Sequence, residues 1–327
     1  MTTIMVSTMI ALLLLGFPMM IPLITAAVIG FYMMFNGFGQ MDTLIQQMMA
    51  GIRPASLIAV PMFILAADIM TRGQSANRLI DMVMAFIGHI KGGLAVSTAA
   101  SCTLFGAVSG STQATVVAVG SPLRPKMLKA GYSDSFTLAL IINASDIAFL
   151  IPPSIGMIIY GVISGTSIGE LFIAGIGPGL MILCMFSIYC IIYAIVKDVP
   201  TEAKSSWKER AVAVRQALWP LGFPVIIVGG IYGGIFSPTE AAAACVLYAI
   251  LLEFVVFRSL KMNDIYAIAK STGLITAVVF ILVAVGNGFS WIISFAQIPQ
   301  MILEAVGVNE AGPTGVLIAI CISFFVA

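Results

Sequence analysis

Long apolar runs separated by short polar turns set the pattern of this chain, and runs near 20 residues cross a hydrocarbon core of about 30 Å as helices. They predict spans at 1 to 16, 18 to 36, 54 to 71, 171 to 196, 217 to 236, 239 to 257 and 273 to 295. The first 30 residues carry neither a basic leader nor a small-residue cleavage site, so the first run reads as a span and not as a removable signal. Between the third and fourth runs the pattern breaks into shorter pieces. The stretch 92–105 makes a helix of about 21 Å and 113–124 one of about 18 Å, and neither spans. Gly106-Ala107-Val108-Ser109-Gly110-Ser111-Thr112 lies between them, small and polar. Such backbone is tolerated at membrane depth only where protein buries it or it lines a wet cavity. The pattern therefore predicts a re-entrant helical hairpin with its tip near the midplane.

The next segment repeats the interruption. Ser133 caps a helix expected to run to about Asn143; the stretch 144–153 then breaks it, and a second short helix runs over 154–163. Pro152-Pro153 forbids continuous helical hydrogen bonding there. Hairpins paired with discontinuous helices build substrate and ion sites from bare helix ends. The N-termini near Gln113 and Ser154 offer N–H groups to a carboxylate, and the C-terminal carbonyls near Phe105 and Asn143 suit a hard cation such as sodium.

Composition agrees with the pattern, at 60% hydrophobic and 9% charged residues, against about 25% charged in soluble domains. A water-soluble fold is excluded. If 93–131 enters and leaves by one face, 14 of the 15 basic residues fall on a single side of the membrane, with Arg53 alone opposite. Positive-inside bias makes that side cytoplasmic. The basic residues are scattered singly, so no nucleic-acid groove is indicated. The five cysteines sit in apolar segments without metal-ligand spacing.

Weak internal similarity points to inverted repeats. Phe17-Pro18 parallels Phe236-Ser237-Pro238, Met41-Asp42 parallels Met262-Asn263-Asp264, and Gly93-Leu94 parallels Gly315-Val316. Each copy reads as two spans, an amphipathic connector, a third span, another connector and the start of a hairpin. The first copy starts outside and the second inside, the opposed orientation expected of alternating access. On this register roughly 90 residues of a second hairpin, broken helix and final span are expected beyond the chain. The expected organisation is scaffold helices over 1–71, an interfacial arm over 72–92, a transport-domain half over 93–170, a linking span and cytoplasmic connector over 171–216, scaffold helices over 217–295, and a second arm with the start of a second hairpin over 296–327.

Several motifs in order carry a family resemblance. Phe105 to Ser111, Ala114-Thr115, Pro125-Lys126-Met127 with Gly131-Tyr132, Ile151-Pro152-Pro153-Ser154, Leu171 to Ile176 with Pro178-Gly179, and Ser237 to Ala243 resemble the large membrane subunit of tripartite ATP-independent periplasmic (TRAP) transporters. The resemblance implies an all-α, elevator-type sodium symporter in the inner membrane. It also implies a small membrane subunit and a periplasmic substrate-binding protein as partners, and an organic acid such as sialic acid or a C4-dicarboxylate as cargo. A sodium site is implied between hairpin tip and break, at Ser109 or Ser111 with carbonyls near Ala148, Ile151 and Pro153. Asp146 stands where the family usually has a small residue.

From the residues themselves, Ser109, Ser111 and Thr112 are either caps of a buried tip or ligands, two uses of the same oxygens. Ser145 and Ser154 flank the break as substrate contacts or caps. Asp146, ionisable at membrane depth outside a regular helix, is a functional candidate by that fact. Glu240, Glu170 and Glu209 each follow a serine by three residues and read as caps. Asp68 is expected to pair with Arg72. Residues 72–91 are amphipathic, with Leu79, Ile80, Val83, Phe86 and Ile87 on one side. Sodium is expected to bind first and order the tip, creating the anion site; each positive charge entering gains about 2.3 kcal/mol per 100 mV. No Walker-type loop is present. An intramembrane enzyme is disfavoured because neither His-Glu-x-x-His nor facing aspartates occur in spans. A free-standing carboxylate symporter or antiporter without a binding protein is the alternative.

Overall fold

The computed structural model describes residues 1–301 and 312–326, and the described residues form helices α1 (Thr2–Leu14), α2 (Met20–Phe35), α3 (Met41–Ala50), α4 (Ala59–Arg72), α5 (Ser75–Ile87), α6 (Gly93–Ser109), α7 (Thr112–Lys129), α8 (Asp134–Ser145), α9 (Ile155–Ser164), α10 (Ile168–Val196), α11 (Trp207–Tyr232), α12 (Pro238–Ile250), α13 (Asp264–Phe295) and α14 (Gly312–Val326). A 3-10 turn, Ala55–Ile58, leads into α4, and a second, Asp146–Phe149, follows α8. A π-helical turn, Leu251–Val256, prolongs α12. The acidic stretch 304–310 and most of the expected second arm lie outside the described residues.

Among the described residues, five helical stretches are long and apolar enough to cross a membrane: Ala55–Arg72, Ile168–Val196, Trp207–Tyr232, Pro238–Val256 and Asp264–Phe295. The first two expected spans are shorter than the sequence pattern suggests. Gly16, at φ +79°, and Pro18 end α1 early, and left-handed Asn36 closes α2. A second difference falls on the repeat. In the first copy Pro54 separates α3 from the following span, whereas in the second copy, which lacks a proline at the matching place, connector and span form the continuous 32-residue α13. Serine caps fall where the spacing places them. Ser206 with Glu209 and Ser237 with Glu240 are full capping boxes, and Ser167 accepts the N–H of Glu170. Asp68 meets Arg72 at 2.9 Å.

The chain divides into two units, one of residues 1–53 and 278–327, the other of residues 54–277. In the first, Met5, Ala26, Ala27, Phe31, Leu44 and Ile292 form the core. Asn287 donates to the Gln47 carbonyl at 2.7 Å there, satisfying a polar group inside an apolar helix.

In the second unit α4 packs on α12, α5 on α11, and the pair α6–α7 on α8. The amphipathic connector is α5, and its buried stripe is Ala76, Leu79, Ile80 and Val83; Phe86 turns outward. Both ends of α5 are held by opposite charges of distant helices. Glu253, fully buried on the π turn, accepts from the N–H groups of Gln74 and Ser75, both at 3.0 Å, and from the hydroxyls of Ser75 and Ser259. Arg210 of α11 donates to the Ala85 carbonyl at the other end, at 3.1 Å. Negative charge at the N-terminus and positive charge at the C-terminus complement the helix dipole. The turn after α5 is tied to the end of α10 by Lys91 and Asp198 at 2.7 Å, and the lysine holds the aspartate's carboxyl below the usual range.

Candidate functional site at the hairpin tip

The helices α6 and α7 form a hairpin closed by two residues. Gly110, at φ +59°, ends α6, and Ser111 caps α7. Their packing is antiparallel: Thr98 and Met127 touch at the base, and the hydroxyls of Ser109 and Thr115 lie 2.9 Å apart at the tip. The expected seven-residue loop is thus a correction. Helix α6 continues to Ser109 because its small residues serve close packing, not wetness; a Cβ on Gly106 would lie 2.8 Å from both Cα and Cβ of Ala148. The free carbonyl end expected near Phe105 accordingly moves four residues on.

The break in the next helix lies where the sequence places it. Helix α8 ends at Ser145, the 3-10 turn comes next, and Ser154 caps α9 by accepting the Met157 N–H at 3.2 Å. Tip and break meet directly. The Ile155 N–H donates to the Gly110 carbonyl at 3.3 Å, and a Cβ on Gly110 would collide with the Pro153 oxygen. Only glycine fits here, since both the positive φ and the close approach exclude a side chain.

Two helix N-termini therefore converge. At α7, Ala114 N–H goes to the Ser111 hydroxyl and Thr115 N–H to the Ser111 carbonyl. No acceptor among the described residues takes the N–H of Thr112 or Gln113, nor that of Gly156 at the start of α9. The Thr112 hydroxyl is likewise buried without a partner. Unspent N–H donors at two adjoining helix starts form a cradle suited to a carboxylate. Beside it the Ser109 hydroxyl, the Ser111 carbonyl and the Thr115 hydroxyl lie 2.8 to 3.3 Å from one another, an all-oxygen cluster of the type that hard cations prefer. Ser109 and Thr115 are fully buried.

Of the residues singled out in the sequence, Ser109, Ser111, Thr112, Pro153 and Ser154 come together at this junction, and Ala148 packs beneath it. The Ile151 side chain points instead to Gly179 of α10, and only its backbone faces the break. Ser145 lies apart: its hydroxyl donates to the Ile141 carbonyl at 2.7 Å and abuts Cys102 inside the unit. Asp146 is exposed and has no ion-pair partner among the described residues. Thr115 is a member of the cluster that the sequence reading places in a family motif but not among the candidate ligands. Its signal is its place one helical turn after Ser111.

The profile of the family described as tripartite ATP-independent periplasmic transporter, DctM component, matches residues 6–327. Over 327 residues the chain is 89% identical to the ectoine TRAP transporter large permease protein TeaC of Halomonas elongata, covering all of this chain and 77% of that protein. It is 74% identical over 319 residues to the ectoine/5-hydroxyectoine TRAP transporter large permease protein UehC of Ruegeria pomeroyi, covering 98% and 74%. To the C4-dicarboxylate TRAP transporter large permease protein DctM of Pseudomonas aeruginosa it is 38% identical over 272 residues, covering 83% and 64%. The chain belongs to the large permease (DctM) family of TRAP transporters, as a multi-pass inner-membrane transport protein and not an enzyme.

Proposed function

We propose that this chain moves ectoine or 5-hydroxyectoine across the inner membrane by symport with sodium, working with a small membrane subunit and a periplasmic substrate-binding protein. The substrate follows the two relatives named for ectoine, at 89% and 74% identity, over the relative named for C4-dicarboxylates at 38%. Ectoine thus replaces the sialic acid or dicarboxylate suggested by family resemblance. The site reading rests on one observation, the Gly110 to Ile155 hydrogen bond that brings the starts of α7 and α9 together.

Ectoine is a zwitterion, with a carboxylate and a cationic amidinium. The carboxylate fits the N–H groups of Thr112, Gln113 and Gly156 with the Thr112 hydroxyl. Asp146 is the only acidic residue between Asp134 and Glu170 and supplies the opposite charge for the amidinium. Sodium binding at Ser109, Ser111 and Thr115 fixes the turn that presents those donors, so ion and substrate bind in mutual support.

The test is uptake of labelled ectoine into proteoliposomes holding the complete transporter. Uptake is expected to require both an inward sodium gradient and the binding protein; uptake at the same rate without either one would refute the corresponding part of the reading. Ser109→Ala should raise the sodium concentration needed for half-maximal uptake about tenfold, the scale of one lost ligand. Asp146→Asn should weaken ectoine uptake about tenfold while leaving the sodium requirement in place; an unchanged apparent affinity would remove Asp146 from the site.

A further inference from the structure

The clamp at the C-terminal end of α5 leaves something over. Arg210, in the first turn of α11, is only 8% exposed. Its Nε is spent on the Ala85 carbonyl, and its guanidinium carbon lies 5.0 Å from the Trp207 ring centre and 5.6 Å from that of Phe86. Its Nη2 is buried and has no hydrogen-bond partner among the described residues. The nearest carboxylate in sequence, Glu209, is turned back to the Ser206 N–H at 2.6 Å, and no ion pair to Arg210 occurs among the described residues. A buried guanidinium with an unspent nitrogen is costly unless something anionic completes it.

A cavity of about 340 Å³ adjoins it, lined by Phe86, Trp207, Arg210, Val214, Arg215 and Leu218. Arg215 is exposed and free of ion pairs among the described residues. Two cations thus meet one pocket whose remaining wall is apolar. Beyond it α11 continues as a membrane span with outward Leu218, Trp219 and Val225. Trp207 at the start of a span and arginines on the basic face mark headgroup depth.

We infer that this cavity binds an anionic phospholipid, with its phosphate against Arg210 Nη2 and Arg215 and its acyl chain along Leu218 and Val225. The planar fork of arginine matches phosphate oxygens, and the cytoplasmic leaflet supplies anionic headgroups at this depth. A free phosphate ion would use the same two arginines, but would leave the wall of Phe86, Trp207 and Leu218 without a purpose. Because Arg210 also holds Ala85, the bound lipid would brace the end of α5 next to the hairpin.

The experiment is native mass spectrometry of the complete transporter released from micelles holding equal phosphatidylglycerol and phosphatidylcholine. Retention of phosphatidylglycerol over phosphatidylcholine is expected, reduced about tenfold by Arg215→Ala and by Arg210→Lys, the scale of one charge-assisted bond. Arg215→Ala alters an exposed residue and keeps the test valid if the Arg210 variant does not fold. Equal retention of the two lipids, or retention indifferent to Arg215→Ala, overturns the proposal. Displacement of the lipid by excess inorganic phosphate would make it a phosphate site. Absence of any retained phosphatidylglycerol in the complete transporter would mean that a partner subunit fills the cavity; either result overturns it as well.

Discussion

Gly110→Ala is expected to reduce ectoine uptake about 100-fold while the protein still inserts and purifies. The substitution acts twice. A left-handed alanine costs about 1–2 kcal/mol, and its methyl would overlap the Pro153 oxygen, so the tip must withdraw from the break. Withdrawal lengthens the bond between the Gly110 carbonyl and the Ile155 N–H, and separates the two helix starts that form the cradle. Misplacement of a positioned site by about 1 Å costs on the order of 100-fold in rate. Gly131→Ala separates the two causes. Gly131 has φ +93° but open space around it, so its variant carries the backbone strain without the collision. It should transport within about tenfold of the parent. Equal losses in the two variants would show that strain alone matters and that the contact does not.

Glu253→Ala is expected to be the most destabilising single substitution among the acidic residues described. Four donors converge on this carboxyl group: the N–H groups of Gln74 and Ser75 and the hydroxyls of Ser75 and Ser259. Truncation leaves the Gln74 and Ser75 N–H groups and the Ser75 hydroxyl without their acceptor, while Ser259 keeps the Glu253 backbone carbonyl at 3.2 Å, and Gly73, packed against the carboxyl, cannot fill the space. Loss of a buried polar partner of this kind costs about 3 kcal/mol or more. Glu253→Gln keeps the volume but turns one acceptor into a donor, and should fall between. Glu240→Ala removes an exposed capping box and should cost about 1 kcal/mol. Thermal unfolding in detergent gives the order; a Glu253→Ala midpoint no lower than that of Glu240→Ala would contradict the clamp.

The hairpin and the break are legible in the sequence because both depend on local chemistry. Gly110 alone accepts the left-handed turn, Ser111 and Ser154 cap the helices that start beside them, and Pro152-Pro153 stops the helical ladder between α8 and α9. The length of α6 is not legible, because Gly106, Ala107 and Val108 look like loop residues in sequence; the smallness of Gly106 answers to Ala148, more than 40 positions away. Ser145 misleads for the converse reason. It sits beside the break in sequence, yet the last turn of a helix lets its hydroxyl return to the Ile141 carbonyl and leaves it facing Cys102. Glu253 gives no signal at all. The donors at the start of α5 lie 178 and 179 residues earlier, and a lone glutamate in an apolar span has no pattern that announces a cap on another helix. The fusion of connector and span in α13 is readable from the missing counterpart of Pro54. The two short N-terminal helices become readable only once the turns at Gly16 and Asn36 are recognised.

The most direct test is a density map of the complete transporter bound to ectoine and sodium. The expected result is ectoine with its carboxylate on the Thr112, Gln113 and Gly156 N–H groups and sodium beside Ser109 and Thr115. Substrate held elsewhere, with the turn between α6 and α7 bare, would contradict it.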